Sequence, residues 1–148
     1  MAQPILTAVF GFFFGYLSSY LIYLFNLKNL ELTDRVNDIY KDLEKVAEKA
    51  TQYWLTTALS DDIPLLEAQI IGLQHRVVGM IEQLSETWWS MLPQMEQDLE
   101  FLTDSLTGGN FQVKGREVDL SRALACQIAS SNVMNGIRKI RRNYIKIL

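Results

Sequence analysis

The chain opens on an unbroken apolar run and then settles into a regular alternation of apolar and charged positions. Ile5 to Leu27 holds 23 residues with no Asp, Glu, Lys, Arg or His. As an α-helix, such a segment rises about 35 Å, enough to cross a hydrocarbon core near 30 Å. Beyond it, Leu32, Val36, Ile39, Leu43, Val46, Ala50, Tyr53 and Thr57 recur at alternating spacings of four and three, a heptad seam. The residues between them, from Asp34 to Lys49, alternate in sign as a solvated helix face does. No Gly or Pro interrupts the join, so the pattern predicts one helix that leaves the membrane segment and continues as a stalk to about Ser60.

Ser60, Asp61, Asp62 and Pro64 predict a reversal and a new helix start, with an Asp as cap and Pro in the first turn. Leu66, Ile70, Leu73, Val77, Met80 or Ile81, and Leu84 form its seam, suited to antiparallel packing on the stalk. Gly72 and Gly79 each weaken a helix by roughly 1 kcal/mol relative to Ala, which points to close helix contact at both. The seam continues through Trp88, Met91, Met95, Leu99, Leu102 and Leu106. A straight continuation would drive Glu96, Asp98, Glu100 and Asp104 into lipid at about 2.5 to 3.5 kcal/mol each, so a bend is expected near Pro93. Whether 63–107 is one bent helix or two is open at this level. Trp88 and Trp89 then belong either at the membrane surface or, more plainly, in the bundle core.

Gly108 and Gly109 end that run, and 108–118 reads as a short loop or a minimal hairpin across Lys114-Gly115. Asp119 is the expected cap of a last helix with the stripe Leu120, Leu124, Ile128, Val133, Ile137, Ile140, Tyr144 and Ile147. The fold class expected is therefore all-α: a single transmembrane helix over 1–27, and a cytoplasmic antiparallel bundle of three to four helices over 28–148.

Charge refines this picture. No Lys or Arg precedes the apolar run, whereas Lys28, Arg35 and Lys41 follow it, which by the positive-inside rule puts the N-terminus out and the remainder in the cytoplasm, at a plasma membrane of bacterial inner-membrane type. The total of 14 basic and 17 acidic groups conceals a segregation. Residues 61–107 carry nine acidic and one basic group, and residues 108–148 carry two acidic and eight basic. Arg138, Lys139, Arg141, Arg142 and Lys146 crowd the final turns, where they complement a helix dipole or meet anionic lipid headgroups at about 1 kcal/mol each. Within the apolar run, Gly11, Gly15 and Ser19 make a small-residue stripe of the kind that lets helices associate in lipid, and Tyr16, Tyr20 and Tyr23 make a second, hydroxylated one.

Candidate chemistry is sparse. One Cys and one His make neither an internal disulfide nor a Cys/His metal cage. Cys126 reads as a small core residue, and Glu67, His75 and Arg122 are the residues nearest to a polar site between helices. No cofactor is implied. With Tyr144 as the only aromatic among the terminal basic residues, nucleic-acid binding is disfavoured. At 148 residues and 49% apolar, the chain suits one domain or a small domain plus a span, not a multidomain enzyme or a disordered tail. The expectation is a non-enzymatic, membrane-anchored scaffold or effector that forms homo-oligomers or binds a protein partner, of a size that suits bacterial defence or stress. The alternatives are a pore built by oligomerising the span, and an enzyme around Glu67, His75 and Arg122.

Overall fold

The computed structural model describes residues 3–87 and 91–147, with side chains described for 12–86, 93 and 95–143. The described residues form four helices and no strand: α1 (Gln3–Leu55), α2 (Ile63–Thr87), α3 (Met91–Thr107) and α4 (Leu120–Ile147). The chain divides into two compact units, residues 1–36 and 37–148. Among the described residues, no helix is long and apolar enough to cross a membrane. The expected span begins in residues 5–11, whose side chains lie outside the described set.

In the first unit the large apolar side chains from Phe12 to Leu27 are all exposed, Phe12 at 79% and Tyr16 at 67%. The Ser19 hydroxyl donates to the Gly15 carbonyl at 2.9 Å, so its one polar group is satisfied within its own helix.

The second unit is an up-down-up-down bundle. Arg76 of α2 reaches Asp42 of α1 and Tyr53 of α1 reaches Glu67 of α2, a pairing that runs antiparallel. Thr51 and Tyr40 of α1 donate to the Ala123 and Met134 carbonyls of α4, again antiparallel. Arg122 and Cys126 of α4 donate to the Asp104 and Ser105 carbonyls of α3. Of the expected stalk seam, Val36, Ile39, Leu43, Val46, Ala50 and Tyr53 are buried, and Leu32 is half-buried. On α2, Leu66, Ile70, Val77, Ile81 and Leu84 are buried, with Leu73 half-buried.

Three expectations need correction. Helix α1 stops at Leu55 rather than near Ser60, because other groups take over its last carbonyls: Thr56 Oγ1 donates to Gln52 and the Asp119 N–H to Trp54. α2 is described to Thr87 and α3 from Met91, and Trp88 and Trp89, expected at the membrane surface or in the core, lie outside the described residues. Pro93 lies within α3. Of the two readings of 108–118, the short loop is the one formed, as a series of turns with Gly109, Gln112 and Gly115 at φ of 58°, 62° and 80°. Gly72 and Gly79 are not contact glycines, since a Cβ built on either meets nothing within 4 Å.

The third correction concerns α4. Val133, Ile137 and Ile140 are buried as expected, but Leu120, Leu124 and Ile128 are exposed, the first two at 71% and 60%. Ala123, Cys126, Ala129 and Ser130 are buried in their place. Small residues let α4 approach its neighbours closely, and Gly136 continues the approach: a Cβ there would sit 3.4 Å from Met95 Cγ of α3. Asp119 is the cap that the sequence predicts, its Oδ1 accepting from the Arg122 N–H at 2.9 Å and from the Ser121 hydroxyl at 2.6 Å.

Candidate functional site

The C-terminal end of α1 is the most elaborated polar feature of the bundle. Its last turn carries no basic residue to complement the negative end of the helix dipole. The loop after α3 supplies one instead. Arg116 is 6% exposed, donates from Nη2 to the Tyr53 carbonyl, and lays its guanidinium 3.9 Å from the Tyr53 ring centroid. Tyr53 meets Trp54 edge-on at 5.1 Å and Phe111 at 5.0 Å, and the guanidinium also lies 5.4 Å from the Trp54 ring centroid. The Gln112 N–H donates to the Tyr53 hydroxyl at 2.9 Å, which holds Gln112 in its left-handed conformation, and that hydroxyl donates on to Glu67 at 3.2 Å. Nε and Nη1 of Arg116 and Nε1 of Trp54 have no hydrogen-bond partner among the described residues. None of Trp54, Phe111 and Arg116 was singled out from sequence. The one available signal was a basic residue in a Gly-bearing loop, too common a pattern to point anywhere.

A second polar anchor joins α1 to α2. Asp42 is buried and receives both Nε and Nη2 of Arg76 in a bidentate pair. The Asp42 carboxylate, through these hydrogen bonds and its charge, holds the Arg76 guanidinium above its ordinary pKa.

The residues expected to share a polar site are engaged separately. Glu67 accepts from Tyr53, His75 is exposed on α2, and Arg122 donates to the Asp104 carbonyl while its guanidinium lies 5.2 Å from the Trp54 ring. No hydrogen bond or ion pair among the described residues joins the three. Cys126 is fully buried and donates to the Ser105 carbonyl at 3.1 Å; burial pushes its thiol up to about 11. Among the described residues, no group of three His, Cys, Asp or Glu is placed to hold a metal ion.

Two surfaces remain. Between α2 and α3 runs a groove of about 890 Å3, apolar at Val78, Pro93 and Leu99 and edged by the carboxylates of Glu96, Glu100 and Asp104. These acidic residues fall at spacings of four, on one side of α3. On α4, Arg138, Lys139 and Arg142 are exposed, Arg138 with its guanidinium 5.3 Å from the Tyr40 ring. Burial raises the Tyr40 hydroxyl pKa against the lowering effect of Arg138. Gly15 and Ser19 of the small-residue stripe are exposed in the first unit, and a Cβ at Gly15 meets nothing within 4 Å. The side chains at Gly11 and Lys146 lie outside the described residues. Comparison of the chain with family models, curated proteins and solved structures gives no match.

Proposed function

We propose that the chain is a non-enzymatic, single-pass membrane protein whose helical bundle acts as an assembling scaffold on the cytoplasmic face of a plasma membrane. The observation that carries this reading is the first unit's surface. Phe12, Phe13, Phe14, Tyr16, Leu17, Tyr20, Leu21, Ile22 and Tyr23 are exposed all around one helix within a charge-free run. A helix that is apolar on every side needs lipid or protein around it. The hydroxyl of Ser19 is already satisfied by Gly15, as a hydrocarbon surrounding demands. Gly15 has room on its surface for a second helix backbone to approach. The positive charge of Lys28, Arg35 and Lys41 after the run supports an N-terminus outside and the bundle inside.

Scaffolding is favoured over catalysis because the bundle's polar groups are committed to holding helix ends and helix pairs together. Arg116, Asp42, Arg76 and Asp119 each serve a structural contact. The test is protease protection of the full chain carrying a C-terminal tag. Protease outside intact cells should leave the tag in place, and protease on inverted membrane vesicles should remove it; removal from intact cells would overturn the topology.

A further inference from the structure

Two surfaces of the second unit face away from its core, and each has what the other lacks. The α2–α3 groove is apolar at Val78 and Leu99 and edged by Glu96 and Glu100. The outward face of α4 is apolar at Leu124 and Ile128 and, further along the same side, basic at Lys139 and Arg142. We propose that the α4 face of one copy docks into the α2–α3 groove of a second copy. The inference rests on the scaffold reading and names the surfaces through which the scaffold would grow.

Charge supports a second copy as the occupant. Among the described residues, no hydrogen bond or ion pair engages Glu96, Glu100, Lys139 or Arg142. The two opposed charge blocks, nine acidic to one basic and eight basic to two acidic, therefore meet only in part within one molecule. α4 cannot enter its own groove, because Ala123, Cys126, Ala129 and Gly136 already fix its opposite side in the bundle. Two different surfaces in contact make a heterologous interface, which closes into a ring or extends as a chain. Glu96 and Glu100, four residues apart on α3, then pair with Lys139 and Arg142, three apart on α4.

The test uses the full chain in detergent, with mass measured by light scattering across concentration. A Gly15→Leu background removes association through the first unit's small-residue stripe. In that background the parent should assemble. Glu96→Lys with Glu100→Lys, and separately Lys139→Glu with Arg142→Glu, should each weaken assembly at least about tenfold through like-charge contact. An equimolar mixture of the two charge-reversed chains should restore it, which misfolding of either variant would not do. Reversed variants that keep the parent's mass, or a mixture that stays monomeric, would overturn the pairing while an assembling parent leaves the scaffold reading standing. Assembly lost on Gly15→Leu alone would do the same. Monomers for both the parent and the unmodified chain would overturn both readings. Binding of the parent to phosphatidylserine vesicles through Lys139 and Arg142, without assembly, would assign the basic face to lipid instead.

Discussion

Removing the Arg76 side chain should strand the Asp42 carboxylate in the bundle. Asp42 is buried against α2, and both of its oxygens accept from Arg76. Breaking a fully buried pair from one side costs about 3 to 5 kcal/mol. Arg76 is 57% exposed, so water enters where the guanidinium was, and the expected cost of Arg76→Ala falls to about 2 kcal/mol. Replacing both partners, Asp42→Leu with Arg76→Leu, leaves no stranded charge and should stay within about 1 kcal/mol of the natural chain. Urea unfolding of the full chain in detergent, followed by circular dichroism, measures each quantity. A deficit below about 0.5 kcal/mol, the size of an ordinary exposed pair, would refute the reasoning, as would a double variant less stable than the single one.

Three further outcomes follow from individual contacts. Asp119→Ala should cost about 1 kcal/mol at neutral pH through loss of the α4 cap. The Ser121 hydroxyl and the Arg122 N–H hold that carboxyl below its ordinary pKa, so the advantage of the natural chain should be full above the carboxylate range and vanish on acidification; a pH-independent difference in urea midpoints would contradict this. Cys126, buried and with its thiol pushed up to about 11, should resist alkylation by iodoacetamide at pH 8 and react once urea unfolds the bundle; labelling of the folded chain at the rate of a small thiol would show the site to be open. Arg116→Ala should destabilise the bundle by about 2 kcal/mol by uncovering the Tyr53 carbonyl and emptying the space beside the Tyr53 and Trp54 rings, with Arg116→Met milder because it refills that space. Equal stability of all three chains would remove Arg116 as the closure of α1.

Periodicity made the helices legible. The four-three seam of α1 and that of α2 are buried nearly residue for residue, because antiparallel neighbours present continuous stripes to one another. Asp119 was legible for the same local reason, since a cap needs only the first turn of its own helix. The first half of α4 was not. Leu120, Leu124 and Ile128 satisfy a helical stripe as well as Ala123, Cys126 and Ala129 do, and only the close approach of α3 and α1 selects the smaller set. Gly136, where an added Cβ would touch Met95, looks no different in sequence from Gly72, which faces open space. The α2–α3 groove joins residues of two helices and escaped notice, although the acidic excess of 61–107 was on view. Arg116 acts across 63 residues on Tyr53, a separation over which no local pattern operates.

The central claim is that the charge-free run from Ile5 to Leu27 lies in lipid. Alkaline carbonate extraction of membranes from cells making the full chain tests it most directly. The natural chain should stay with the lipid pellet. Leu17→Arg with Leu21→Arg, two charges costing about 5 to 7 kcal/mol in a span, should move it into the supernatant. Release of the natural chain by carbonate, or a mature polypeptide that begins after Asn26, would contradict the account.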